Sequence, residues 1–355
     1  MSKYKDTIYA LSTPTGKSAI ALIRISGKDS LKALKKITNL KRIVPNKTKL
    51  TFLKFQKKII DKVIIVYFKK PNSFTGEEMV EINCHGSIAI ITKITQTLSS
   101  LGLRIAEPGE FTRRSLMNNK LDLVQTEGLS DLINAETEKQ RSLAVSNLSG
   151  ELSFFVKTIN EELTKILANT EALIDFSDED LPKNILKNIK EQNKNIIKTI
   201  EKETKAAKIS KPIREGFLVA VIGKPNTGKS SFINYISKKN VSIVTNIPGT
   251  TTDTITSAID IAGYKFTFVD TAGLRKHKNK IEEIGIKKTK EIMLKSNLNL
   301  VFLENKELNQ YKKIKNKIFI RSKLDKRRVK TKSNNITNIS SVTGEGLNGL
   351  IKKIK

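Results

Sequence analysis

The chain has 355 residues, 38% of them hydrophobic, with a mean hydropathy of −0.30. That length accommodates two or three cores, and no run of about eighteen apolar residues is present to cross a bilayer. The net charge of +30 has two readings: affinity for a polyanion such as nucleic acid, or coding drift towards Lys, Ile and Asn. The start, MSKYKDTIYALSTPTGK, lacks the apolar core of a secretory signal. The single cysteine, Cys84, supplies neither an internal disulfide nor a metal cluster. A cytoplasmic protein with no membrane partner is expected.

Residues 1–118 alternate strand and helix patterns. DTIYALST, SAIALIRISG, KLTFLKF, DKVIIVYFKK and EEMVEINCHG are rich in β-branched or aromatic residues and bounded by turn formers. DSLKALKKI and SIAIITKITQTLSSLG have helical spacing, the first with Asp29 or Ser30 as its N-cap. This is a small α+β domain. Over 119–210 the apolar residues recur every three or four positions, without proline from Leu121 to Phe176, which argues for a helical bundle. A more polar helix over about 182–208 leads to KPIREG, read as a hinge. FLVAVIG then opens an α/β domain over 216–355.

In that last domain a buried strand precedes Gly223-x-x-x-x-Gly228-Lys229-Ser230, and a helix follows. This is a P-loop in its proper context, with backbone N–H groups facing phosphates, Lys229 reaching the β- and γ-phosphates and Ser230 holding Mg²⁺. Downstream, VTNIPGTTTDT supplies Thr251 as a switch threonine for the Mg²⁺ shell, and FVDTAGL places Asp270 at a strand end with Gly273 following. FIRSKLDK falls where a guanine-reading Asn-Lys-x-Asp belongs, with Ser322 in place of Asn. Asp325 can accept from the guanine N1–H and 2-amino group, and Lys323 can lay its stem over the base. His85 and Cys84 are strand neighbours and point to opposite faces, so a catalytic Cys–His pair is not expected; a turn or packing role suits His85.

Together these residues resemble the MnmE (TrmE) family of tRNA-modifying GTPases. The resemblance rests on GKPNTGKSS, VTNIPGTTTDT, DTAGLR and IEEIGI, and on IRISG, PNSFTGEEMVEINCHG and LRIAEPGEFTRRSLMNNKLDLVQTEGLSDLI nearer the N-terminus. It implies a P-loop G domain with a folate-binding-like, dimerising N-terminal domain and a helical domain. It also implies a GTPase that acts on tRNA with a flavin-dependent partner, MnmG (GidA), in a heterotetramer. The reaction installs an aminomethyl-type or carboxymethylaminomethyl group at C5 of the wobble uridine. The cofactors implied are GTP, Mg²⁺, K⁺ and 5-formyl-tetrahydrofolate or a related one-carbon tetrahydrofolate.

Position by position, the resemblance puts GTP contacts at Asn226, Thr227, Gly228, Lys229, Ser230 and Ser231, and at Thr245, Asn246, Ile247, Pro248, Gly249, Thr250 and Thr251. It adds Asp270, Thr271, Ala272 and Gly273, then Ser322, Lys323 and Asp325, and the loop Ser340, Ser341 and Val342. Mg²⁺ falls to Ser230 and Thr251, and K⁺ to Asn226, Thr245, Ile247 and Thr250. Glu282 would position the attacking water, and Arg24, Glu81 and Lys120 would hold the folate.

The sequence departs from the family in three places. It stops at TGEGLNGLIKKIK, so a truncated bundle with an exposed apolar face is expected, and a C-terminal Cys motif is missing. The stretch between LNLVFLE and KIFIRSKLD is short, and NISSVTGEGL replaces the usual Ser-Ala-Lys loop. Two other functions fit parts of this pattern. The charge suits a GTP-switch factor of ribosome assembly that binds RNA, and the ending suits a degenerate scaffold remnant of the modification complex.

Overall fold

The computed structural model describes residues 6–176, 184–239, 242–243, 256–270, 289–304, 311, 313–326 and 335–354, in two compact units, 1–127 and 128–355. The first unit runs β1 (Ile8–Leu11), β2 (Ser18–Ser26), α1 (Ser30–Thr38), β3 (Lys49–Phe55), β4 (Lys58–Phe68) and β5 (Met79–Gly86). It continues with α2 (Ile88–Ser100), β6 (Arg104–Ile105) and α3 (Glu110–Met117). The expected strands and helices thus form, with α3 and β6 added. The sheet order is β3-β4-β5-β2-β1-β6, antiparallel except for the parallel β1–β6 pair.

Strand alternation explains how this sheet divides its faces. Ile23, Ile25, Val80, Ile82, Val63 and Ile65 are buried in one core with Leu34 and Ile37 of α1 and Ile94 and Leu98 of α2. The intervening residues face the other way. There Leu50, Ile64, Asn83 and Leu22 form one cross-strand row, and Ile20, Leu50, Phe52 and Ile64 stay exposed.

The expected cap of α1 is corrected in detail. Asp29 holds the N-cap position but makes no side-chain capping bond. Its N–H instead donates to Thr7 Oγ1 at 3.0 Å, and the Ser30 hydroxyl is buried without a partner among the described residues. Burial of Ala33, Leu34 and Ile37 sets the start of this helix, not a cap.

The helical run forms α4 (Leu123–Ile133), α5 (Glu138–Leu148), α6 (Glu151–Asp175) and α7 (Ile185–Glu215). Thr137 and Gln140 build a capping box that starts α5, and Gly150, at φ 87°, separates α5 from α6. On α6 the apolar residues Leu152, Phe154, Val156, Leu163, Leu167 and Ile174 are exposed. The hinge expected at KPIREG is not there: α7 runs through Pro212 to Glu215, and Gly216 at φ 88° ends it. Proline's fixed φ suits a helix and its missing N–H costs one intrahelical bond, which 31 residues of helix absorb.

After Gly216 come β7 (Phe217–Gly223), α8 (Lys229–Lys239), β8 (Ser242–Ile243), β9 (Thr256–Ile261) and β10 (Tyr264–Asp270). Residues 289–295 are helical (α9), followed by β11 (Leu298–Phe302), β12 (Lys317–Arg321), β13 (Ile336–Asn338) and α10 (Leu347–Ile354). The sheet order is β13-β12-β11-β7-β10-β9-β8. Its first five strands are parallel, and β9 and β8 add an antiparallel edge. The β9–β10 hairpin meets α5 and α7: Lys139 N–H donates to the Gly263 carbonyl at 3.0 Å, and Lys265 pairs with Glu136. Gln140 Nε2 donates to the Arg214 carbonyl at 2.9 Å, and Arg214 bonds Asp131.

Candidate functional site

In an open parallel sheet, ligand sites form beyond the carboxyl ends of the strands. The loops after β7, β10, β12 and β13 all leave from that edge, and they carry the residues singled out in the sequence. Gly223 ends β7 at φ 150°, and a Cβ there would stand 2.6 Å from the Phe302 carbonyl, so the turn requires glycine. Asn226 follows at φ 61°. Lys229 is buried, and its ammonium donates to the carbonyls of Gly223 at 3.0 Å and Lys224 at 2.6 Å. The Thr227 hydroxyl closes the wrap by donating to the Lys224 carbonyl at 2.8 Å. The loop is thus folded around a cation, at the N-terminus of α8, with Ser230 and Ser231 in its first turn.

Parallel pairing sets Asp270 beside Val221, at the end of β10. The Ser230 hydroxyl donates to Asp270 Oδ2 at 2.9 Å, and Asp270 is buried. Two hard oxygens adjoining a P-loop lysine are a donor set that fits Mg²⁺. Among the described residues no cluster of three His, Cys, Asp or Glu side chains offers a site for another metal.

The loops after β12 and β13 lie against this wrap. The Ser322 hydroxyl donates to the Thr227 carbonyl, and Gly228, at φ 90°, approaches so closely that a Cβ would lie 2.8 Å from Ser322 Oγ. Lys323, itself at φ 60°, donates to the Asn226 carbonyl at 2.6 Å. Buried Ser340 donates to Asp325 Oδ1 at 2.6 Å while the N–H groups of Val342 and Thr343 donate to its oxygen. Ser341 and the exposed Val342 continue that loop. The structure therefore gathers Asn226, Thr227, Gly228, Lys229, Ser230, Asp270, Ser322, Lys323, Asp325 and Ser340 into one hydrogen-bonded site. Thr245, Asn246, Ile247, Pro248, Gly249, Thr250, Thr251, Thr271, Ala272, Gly273 and Glu282 lie outside the described residues. Of the expected K⁺ ligands only Asn226 is described.

On the open face of the N-terminal sheet, Arg24 and Glu81 are cross-strand partners. Arg24 Nε and Nη2 both donate to Glu81 Oε1, at 3.0 and 2.7 Å. Oε2 carries no hydrogen bond among the described residues and can accept from a pterin's ring N–H groups. The guanidinium lies over Phe74 at 5.2 Å and Phe111 at 5.6 Å. Lys120 stands against Gly76, whose φ of 74° leaves room for the lysine stem. A carboxylate oxygen, a cation and two aromatic rings suit a flat, polar heterocycle with an anionic tail.

Beneath this face lies a network that sequence reasoning missed. Arg114 is fully buried and bonds Glu110 at 2.9 Å, Glu77 at 3.1 Å and Asp6 at 2.8 Å. Arg104 adds contacts to Glu110 and Asp6 at 2.7 Å each. Ser26 links Glu77 to Thr75, and Asn118 and Ser115 hold the carbonyls of Thr75 and Phe74. Burial pushes the Glu110 carboxyl up, but hydrogen bonds from Arg104, the Glu107 N–H and Arg114 overcome it and hold the group down at about 2. The doubled arginine of GEFTRRSL was the one available signal.

Cys84 and His85 behave as strand alternation requires. Cys84 is buried, and its thiol is pushed up to about 11 by burial and then by the Asp61 charge. The His85 ring is exposed, with Nδ1 held 2.8 Å from Asp61 Oδ1, and Asp61 also accepts the His85 N–H. Asp61 thus caps the end of β5, and a thiol this basic is a poor nucleophile.

Residues 7–120 match the family described as GTP-binding protein TrmE N-terminus, and residues 123–355 match the MnmE helical domain. The chain is 42% identical over 308 residues to the tRNA modification GTPase MnmE of Pelagibacter ubique, covering 85% of this chain and 69% of that one. It is 38% identical over 364 residues to the tRNA modification GTPase MnmE of Aquifex aeolicus, covering 99% and 81%. Among solved structures, the G domain of the Thermotoga maritima FeoB iron transporter is 24% identical, covers 39% of this chain and 96% of its own, and gives a TM-score of 0.30.

Proposed function

Because this chain belongs to the MnmE family of tRNA modification GTPases, we propose that it is a K⁺-dependent GTPase that modifies C5 of the wobble uridine of certain tRNAs with a flavin-dependent partner, MnmG. The observation that carries this reading is the joining, in one chain, of the P-loop site and the Arg24–Glu81 site. The first handles a nucleoside triphosphate, and the second suits a pterin.

In the nucleotide site the protein's work is placement. Lys229 exchanges its two loop carbonyls for phosphate oxygens, which costs little because the ammonium is already desolvated and aimed. Asp325 reads guanine and rejects adenine, whose ring presents an acceptor and no amino group there. Glu282 orients the water. Ser230 and Thr251 would hold Mg²⁺, and Asn226, Thr245, Ile247 and Thr250 would hold K⁺, which would supply positive charge beside the phosphates. Arg24, Glu81 and Lys120 would hold a one-carbon tetrahydrofolate, which would supply the carbon. The exposed apolar row at Ile20, Leu50, Phe52 and Ile64 supports a homodimer through the N-terminal domain. No described helix is long and apolar enough to cross a membrane.

The test is paired. Purified protein should hydrolyse GTP several-fold faster in K⁺ than in Na⁺, and loss of the gene should remove the C5 group from wobble uridines in nucleoside mass spectra. Equal rates in the two salts with unchanged tRNA would sink the proposal.

A further inference from the structure

We propose that the helix-covered side of the N-terminal sheet carries a binding surface for the phosphate backbone of RNA, centred on Lys28, Lys32 and Lys36. This rests on the reading that tRNA is the partner, and it says where the backbone lies. The three lysines line a cavity of about 320 Å³ together with Thr7 and the Gly102–Arg104 turn. All three are exposed, and none makes an ion pair or side-chain hydrogen bond among the described residues. Lys32 and Lys36 project from successive turns of α1, a step of about 6 Å, and Lys28 stands in the turn just before its N-cap. That step is comparable with the distance between neighbouring phosphates of an extended strand.

Charge drift does not account for this concentration. Between residues 28 and 49 eight basic side chains stand against one acidic residue, Asp29, whereas the whole chain carries 65 against 35. Asp29 and Asp6 also face the cavity. Asp6 is already neutralised by Arg104 and Arg114, which leaves Asp29 as the one opposing charge. Lys35, Lys41 and Arg42 are exposed beside it and extend the same field. The ladder lies on the opposite side of the sheet from Arg24 and Glu81, so a strand bound here would leave the open face free.

The experiment measures binding of a transcribed tRNA with uridine at the wobble position across a salt series, using the whole chain. The triple variant Lys28→Gln, Lys32→Gln, Lys36→Gln should bind about tenfold more weakly near 0.1 M salt and lower the salt slope by about 2–3. The triple Lys187→Gln, Lys190→Gln, Lys194→Gln on α7 removes the same charge and should change the slope by less than about 1. Arginine in place of Lys28, Lys32 and Lys36 should restore binding, and GTP turnover should be unchanged throughout. Equal losses from the two glutamine triples, or tRNA binding retained by the Lys28, Lys32 and Lys36 triple, overturn the surface alone. Failure of the unaltered chain to bind tRNA overturns both the surface and the tRNA reading. A defect confined to phosphatidylglycerol vesicles assigns the surface to a membrane and overturns the RNA proposal.

Discussion

The Ser322 hydroxyl donates its hydrogen bond to the Thr227 carbonyl, which ties the loop after β12, proposed to read guanine, directly to the P-loop. A serine has one O–H to give, so this tie consumes the donor that an asparagine would keep for guanine N7. Serine therefore preserves the architecture of the site and gives up a ligand bond.

The first prediction separates those two roles. Ser322→Asn should tighten GTP binding by up to about tenfold, the value of one neutral hydrogen bond of roughly 0.5–1.5 kcal/mol. Ser322→Ala should weaken it, because the Thr227 carbonyl loses its partner and the loop its anchor. Titration with a fluorescent guanine nucleotide reads both. An unchanged dissociation constant for the asparagine variant would remove this account of the serine.

The second concerns the P-loop lysine. Lys229→Met should lower GTP turnover by at least about a hundredfold, since the missing cation neutralises charge that develops on the transferred group. Single-turnover hydrolysis in K⁺ is the measurement, and a loss below about tenfold would show that Lys229 is mainly a loop filler.

A third prediction concerns acid stability of the N-terminal unit. Glu110 sits at about 2 in the folded chain, below its ordinary 4.5. A lowered folded value means stability that is fully present above the unfolded value and lost as pH falls from about 4.5 towards 2. The loss should reach on the order of 3 kcal/mol. Urea midpoints from pH 7 to pH 3 should fall for the natural chain. For Glu110→Gln the fall should be shallower from an already lower starting point. Parallel curves would refute the linkage.

The fourth follows from the same network. Arg114→Met should destabilise the unit by about 3–5 kcal/mol, because it takes a buried guanidinium from Glu77 and leaves Glu110 with Arg104 in place of two arginines. The triple change with Glu77→Gln and Glu110→Gln should recover much of that loss. Chemical denaturation of all three proteins decides it, and a triple variant no more stable than Arg114→Met would place the cost elsewhere.

These cases also mark what sequence could and could not disclose. The strands of the N-terminal unit were legible because alternating β-branched residues report one buried face. The P-loop was legible because its chemistry is local, confined to Gly223–Ser230. Arg114 was illegible for the opposite reason: Asp6, Glu77 and Glu110 converge on it from positions as far as 108 residues away. The KPIREG hinge was misread because a proline weakens a helix by one bond, which the rest of a long helix can outweigh. The tie from Ser322 to Thr227 could be anticipated only as a motif position, since nothing local to RSKLD names its acceptor.

Gly216 is the one residue between the 31-residue α7 and β7, the strand that leads into the P-loop. At 1.5 Å per residue α7 is about 46 Å long, and Arg214 near its C-terminal end is held by Gln140 and Asp131. Gly216 thus joins a long helix to the strand that feeds the P-loop with no intervening loop, and a Cβ there would press within 3.1 Å of the Lys265 stem, so the junction is fixed by close packing.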